Sequence, residues 1–208
     1  MPDNNDVARA LLVLGAATLG ESGGRAMRAR IKAAWAGARL AAPAYPVRCT
    51  PGDNLAVHVA VRRAPEGAAL VVDVGDEREL GYWGEVLTTA AEARGLAGLV
   101  IDGGVRDVTA LEAHRFPAFS AGIALPGATK QEPGTIGQRA MVGDVEVNAG
   151  DWIVGDADGV TVIPAATVQD VLTAGTARED RERGFFAALR DGKTTVELLG
   201  LDASIVDE

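Results

Sequence analysis

Apolar positions in this chain gather into short unbroken runs set off by turn residues, with stretches of helical spacing between them. Ala69-Leu-Val-Val-Asp-Val-Gly75 and Ala97-Gly-Leu-Val-Ile101 read as strands buried on both faces, the pattern of a parallel sheet. Between them, Val86, Leu87, Ala90 and Ala93 are spaced for a helix over Leu80 to Arg94, which Gly95 is placed to end. Strand, helix, strand is a βαβ unit and predicts a parallel pair.

Upstream, residues 6–14 predict a first helix, and Ala16 to Gly24 a second short element capped by Thr18, with Glu21 in its first turn. Arg39 to Cys49 is extended in character but carries Pro43 and Pro46, which points to an edge or interrupted strand. Thr50-Pro-Gly-Asp-Asn-Leu55 is a turn leading into a helix from Asn54 to Arg63, with His58 on it. Downstream, a helix over Asp107 to His114 and a strand over Ala118 to Ile123 precede a glycine-rich loop through Gly137. Ala140 to Pro164 alternates Val- and Ile-rich runs with turn clusters, as hairpins do. Pro164 then opens a long amphipathic helix through Leu189, weakened at Gly175 and Gly184. The fold class is α/β, with a βαβ unit and a C-terminal β-hairpin plus long helix.

Composition narrows the function classes. With 208 residues and 48% apolar content, residues 1–208 are expected to form one folded domain. A net charge of −9 disfavours nucleic acid and anionic membrane as partners. Arg25, Arg28, Arg30 and Lys32, the densest basic group, read as a solvated helix face. The single cysteine, Cys49, excludes an intrachain disulfide; the polar, acidic start lacks a secretory pattern, and Ala10 to Gly20 is too short to span a bilayer. A cytoplasmic protein with no membrane span is expected.

The chemistry centres on Val100-Ile-Asp-Gly-Gly-Val-Arg-Asp107. At a strand's C-terminal end a glycine turn lets backbone approach a ligand, an arginine grips a carboxylate with two parallel N–H bonds, and an aspartate holds a divalent cation. The plainer reading makes Asp107 the N-cap of the next helix and Arg106 its surface neighbour. Glu85 reads equally as an exposed helical acid, Glu21 as a complement to a helix dipole, His58 as a partly buried core histidine at least as readily as a proton carrier, and His114 as solvent-exposed. Asp73 and Asp102 are explained by turn hydrogen bonds. No G-x-G-x-x-G or P-loop pattern follows the glycines.

Four stretches together carry a resemblance: Asp53-Asn-Leu-Ala-Val-His58, Trp83-Gly-Glu-Val-Leu87, the Arg106-Asp107 run, and Gly150-Asp-Trp-Ile-Val-Gly-Asp-Ala-Asp-Gly-Val160. From about Ala16 to Leu201 the chain resembles the 4-hydroxy-4-methyl-2-oxoglutarate and 4-carboxy-4-hydroxy-2-oxoadipate aldolases, which share a fold with the regulator of ribonuclease activity A. The resemblance implies a swivelling β/β/α domain assembled as a homotrimer or hexamer, a divalent cofactor, Mg2+ or Mn2+, and a small 2-oxo acid substrate cleaved to pyruvate. It implies that Asp107 anchors the metal, Arg106 binds substrate oxygens and Glu85 meets metal-bound water. Gly84, Glu85, Val86 and Leu87 then form the carboxylate-binding turn, with Glu21 entering from a neighbouring subunit. The family signature continues with Glu-Asp where this chain has Ala110-Leu111, and Glu85 is one methylene longer than the usual aspartate or asparagine. The same resemblance leaves a second class open, a non-catalytic regulator that binds a basic protein such as a ribonuclease.

Overall fold

The two apolar runs become neighbouring parallel strands at the centre of the structure, a computed structural model that describes residues 3–206. In chain order the elements are α1 (Asn4–Glu21), β1 (Arg25–Ala26), β2 (Lys32–Ala33), β3 (Leu40–Arg48), α2 (Leu55–Arg63), β4 (Ala69–Asp73), β5 (Gly81–Trp83), α3 (Glu85–Ala93), β6 (Gly98–Val105), α4 (Val108–His114) and β7 (Ala118–Ile123). There follow β8 (Thr135–Ile136), β9 (Ala140–Val142), β10 (Val145–Val147), β11 (Trp152–Gly155), β12 (Val160–Ile163), α5 (Val168–Arg190) and α6 (Thr195–Leu199). Ten strands form one curled mixed sheet in the order β1-β12-β11-β3-β4-β6-β7-β2, with β5 on β6 and β8 on β3; β9 and β10 pair separately. The strands β3, β4, β6 and β7 run parallel, whereas β11, β12 and β1 extend the sheet antiparallel.

Alternating side chains on the buried strands feed two cores. Leu70, Val72, Leu99 and Ile101 face α2, α3 and α4, packing with Val57, Leu87 and Leu111. Their neighbours Val71 and Val100 point the other way, to Phe119, Ile153 and the β9–β10 residues Val142 and Val147. On β11, Ile153 joins this second core while Trp152 and Val154 face α1 and α5 through Leu11, Leu19 and Val171. The layers are therefore helices, parallel strands, antiparallel strands, helices. Among the described residues no helix is long and apolar enough to cross a membrane.

Several elements differ from the sequence expectation for identifiable reasons. β3 is central, not an edge: one side pairs with β4 over Ala44–Arg48, and the other changes partner from β11 to β8 across Pro43–Pro46, so the prolines sit where that ladder is interrupted. The 6–14 and 16–24 elements are two helical segments, as expected, joined within α1 by a non-helical break at Gly15 (φ 76°, ψ 165°), though the second ends at Glu21. The cap at the kink is not Thr18 but Asp156, whose carboxylate accepts the Ala16 amide at 2.7 Å. Glu21 thus ends a helix instead of beginning one. The 80–94 helix begins only at Glu85, because Gly81–Trp83 is recruited as a parallel partner of β6. α5 runs unbroken through Gly175 and Gly184.

The glycines after Ile101 do not make the expected ligand-approach turn; β6 continues through them to Val105. A Cβ at Gly104 would lie 2.6 Å from the Leu80 carbonyl oxygen, so the close approach is to the protein itself. Asp102 is likewise no turn residue. Its buried carboxylate accepts two bonds from Arg30, at 2.8 and 2.7 Å, one from Arg78 and one from the Gly143 amide. Burial opposes its charge, but these donors hold the carboxyl below its usual range. The basic group at 25–32 therefore belongs to strands and turns: Arg28 and Arg30 bind Asp144, and Lys32 donates to the Asp158 carbonyl. Asp73 does make the expected turn bond, accepting the Gly75 amide at 2.9 Å.

Candidate active site

Because β5 and β6 are parallel neighbours, the turns that leave them for α3 and α4 meet at one corner. The Arg106 amide donates to the Trp83 carbonyl at 2.9 Å, joining the two turns directly. Trp83 is fixed beneath them by stacking on Phe116 and by its indole N–H bond to the buried Thr88 hydroxyl. The corner's oxygen and nitrogen groups are consequently held by the core.

Asp107 stands in the left-handed region (φ 57°, ψ 36°), an uncommon conformation for a side chain other than glycine. It occupies the N-cap position of α4 but makes no side-chain cap bond there. Its Oδ2 accepts the backbone amide of Glu85 instead, at 3.1 Å, and lies 3.8 Å from Arg106 Nε. The plain capping role is thus set aside: the carboxylate is turned across the corner toward the start of α3. Gly84 permits this, since a Cβ there would fall 2.4 Å from Asp107 Oδ2.

Asp107, Arg106, Gly84, Val86 and Leu87 line one cavity of about 170 Å³ together with Asn54, His58 and Lys130. That is below the roughly 300–1,000 Å³ of drug-sized sites and suits a small acid. Val86 and Leu87 lie in the first turn of α3, where amides lack partners within the helix and the dipole favours an anion. The Arg106 stem crosses Gly81 and Gly84, at which a Cβ would approach its Cδ and Cγ to 3.1 and 3.2 Å.

Sequence reasoning gave Asn54 and Lys130 no role and kept His58 out of the catalytic set, as a partly buried core histidine at least as readily as a proton carrier. Asn54 is 4% exposed; its Nδ2 donates to the Tyr82 carbonyl, while Oδ1 has no partner among the described residues. His58 is half-buried and its Nε2 likewise lacks a partner among them. Burial, then the positive charge of Lys130, holds its imidazole below the ordinary histidine range, against an opposing pull from Asp53. The signal available in sequence was the spacing of Asn54 and His58, four residues apart at the start of a helix. For Lys130, in an aperiodic loop, there was none.

The Lys130 loop is held by Asp53, whose buried carboxylate accepts the Gln131 amide at 2.6 Å, the Leu55 amide at 2.8 Å and the Thr129 hydroxyl at 2.7 Å. Burial opposes ionisation, yet the donors win and hold its pKa at about 2. A depressed folded-state pKa stabilises above the unfolded value near 4, by about 2 kcal/mol, and that contribution vanishes as pH falls through about 2. Asp53→Asn should therefore lose about 2 kcal/mol in urea unfolding at pH 7, with the gap to wild type narrowing at pH 2.5. A pH-independent gap would contradict this account.

Two expected residues are not brought into the cavity. The Glu85 carboxylate is exposed and points to His114, 3.8 Å from its Nε2, whose Nδ1 lies 2.8 Å from Glu92. His114 is thus half-buried between carboxylates and not a free surface group. Glu21 ion-pairs with Arg178 of α5 and lines a separate cleft. Where the aldolase signature has Glu-Asp, Ala110 is half-buried and Leu111 is fully buried in the helix-side core.

Among the described residues, no three His, Cys, Asp or Glu side chains cluster as metal ligands. The donor chemistry at the corner still fits one kind of ion. A single well-placed carboxylate, Asp107, with water completing the shell, suits a hard, strongly hydrated cation and not a four-ligand zinc site.

A mixed α/β fold with a small acid-sized cavity at paired strand-to-helix turns defines the class. The sequence model of the family described as "RraA-like: Aldolase/RraA" matches residues 6–162, and the chain belongs to that family. A Halalkalibacterium halodurans protein named "Putative 4-hydroxy-4-methyl-2-oxoglutarate aldolase" is 35% identical over 153 residues, 74% of this chain and 73% of that protein. The crystal structure of an uncharacterized protein from Pseudomonas syringae pv. tomato superposes with a TM-score of 0.84 at 25% identity, covering 95% of this chain and 94% of that one. Streptomyces coelicolor RraAS2, described as an unusual member of the RNase ES inhibitor RraA protein family, gives 0.75 at 25% identity over 88% of this chain and 96% of its own.

Proposed function

We propose that this chain is a divalent-metal-dependent lyase that cleaves a 4-hydroxy-2-oxo diacid by retro-aldol reaction to pyruvate, with oxaloacetate decarboxylation as a side activity through the same enolate. The observation that carries this reading is the convergence of the Arg106 guanidinium, the Asp107 carboxylate and the first-turn amides of α3 on one small cavity. Breaking the bond beyond a 2-oxo group leaves an enolate, and the barrier falls when fixed donors meet its charge. The amides of Val86 and Leu87 hold the substrate carboxylate, and Gly84 keeps the approach open. Arg106 offers its planar fork to the keto oxygen as charge develops there. Asp107 would hold Mg2+ or Mn2+; Glu85 would reach it through water by turning back from His114, and Glu21 would come from a neighbouring subunit of a trimer or hexamer. When bound, the cation withdraws the developing negative charge without a Schiff base.

The likeness to RraAS2 and the −9 charge support a second reading, a regulator that binds a basic protein partner. A panel of 4-hydroxy-2-oxo diacids and oxaloacetate, assayed for pyruvate with Mg2+ while light scattering reports the oligomer, separates the two. The lyase reading expects pyruvate from at least one substrate and a trimer or hexamer. Silence across the panel favours the regulator, and a fully active monomer removes the shared site.

A further inference from the structure

Retro-aldol cleavage includes a proton transfer that none of the residues given a role above performs. As the C3–C4 bond breaks, the C4 hydroxyl must lose its proton, so a basic atom with a free lone pair has to stand beside that hydroxyl. Of the polar side chains on the cavity wall, Arg106 and Lys130 are cations, the Asn54 amide is not basic, the Tyr82 hydroxyl is engaged by the Glu77 carbonyl and the Gly52 amide, and the Trp83 indole N–H is bound to Thr88. Asp107 already accepts the Glu85 amide and lies beside the Arg106 guanidinium. His58 is left, with its ring on the wall and its Nε2 buried and unpartnered among the described residues. A buried polar atom without a partner is costly in a folded protein, and a ligand hydroxyl is one group that satisfies it.

Resting on the lyase reading, we propose that His58 is the catalytic base of the carbon–carbon cleavage. The imidazole takes the C4 hydroxyl proton, the oxygen's electron pair forms the carbonyl of the departing product, and the C3–C4 pair becomes the enolate of pyruvate. The proton then passes from the imidazolium to C3, giving the methyl group of pyruvate and restoring the base. Atoms and charge balance without a further reactant. The charged groups around the ring are Lys130, Asp53, Arg106 and Asp107; burial and Lys130 favour the neutral ring that a base requires.

Oxaloacetate decarboxylation separates this role from a structural one. It passes through the same enolate but has no C4 hydroxyl to deprotonate, and its enolate is protonated from water. In His58→Gln, kcat for cleavage of a 4-hydroxy-2-oxo diacid should fall roughly 10²- to 10⁴-fold, the usual scale for a lost general base. KM should change little, and decarboxylation in the same preparation should stay within about threefold, which also shows that the variant is folded. Arg106→Lys, acting on the enolate, should depress both reactions together. Equal losses of the two reactions in His58→Gln, or no loss in either, would overturn the assignment while leaving the lyase reading intact. A wild-type protein that cleaves neither substrate would overturn both.

Discussion

Arg106→Lys is expected to lower turnover in pyruvate release by roughly 10²- to 10³-fold, the scale of removing one preorganised donor to a developing oxyanion. Lysine keeps the charge but not the planar fork, and its flexible ammonium cannot reproduce two parallel N–H bonds. The packing sharpens this expectation. The arginine stem lies across Gly81 and Gly84, so its direction is fixed, and lysine would follow the same path to end in a single point charge. The side chain is 45% exposed, so the substitution should leave stability almost unchanged. Steady-state kinetics decide: a loss carried by kcat places the contact in the transition state, whereas a rise in KM with kcat intact makes Arg106 a binding residue only.

Asp107→Asn is expected to abolish cleavage and decarboxylation while the fold persists. Asparagine tolerates the left-handed conformation at φ 57° and retains an oxygen able to accept the Glu85 amide, so the corner keeps its shape. What disappears is the negative charge that a hard cation needs from its one direct protein ligand. Alanine is the poorer test, because it loses the charge and suits the left-handed backbone less well. A regulator that binds a protein partner through other surface would be nearly indifferent to either change. Thermal unfolding within a few degrees of wild type, together with absent activity, is the expected pair of results.

The central strands and the Arg106–Asp107 corner were legible because buried parallel strands write themselves as continuous apolar runs, and β4, β6 and β7 appear close to where those runs lie. The α4 helix matched for a similar local reason. For β3, Pro43 and Pro46 speak locally for an edge or an interruption; the strand is central, and the interruption falls on one ladder only, where β11 is exchanged for β8 between the two prolines. The Asp102 network joins Arg30, Arg78 and Gly143 from distant parts of the chain, which no local pattern encodes. The same holds for the far wall of the cavity: Lys130 arrives there only because Asp53 ties its loop to the start of α2. Glu85 shows the opposite limit. Its spacing from Arg106 matched a family signature, but its longer side chain leads the carboxylate out toward His114.

The central claim, that a cation anchored by Asp107 drives cleavage of a 2-oxo acid, is tested most directly by stripping the wild type with a chelator and titrating Mg2+ or Mn2+ back, with ion binding and pyruvate release followed in the same samples beside Asp107→Asn. The account predicts that the stripped wild type is inactive, that activity returns in step with ion binding, and that the variant regains neither. Full turnover in the stripped wild type, or wild-type turnover in Asp107→Asn, would contradict it.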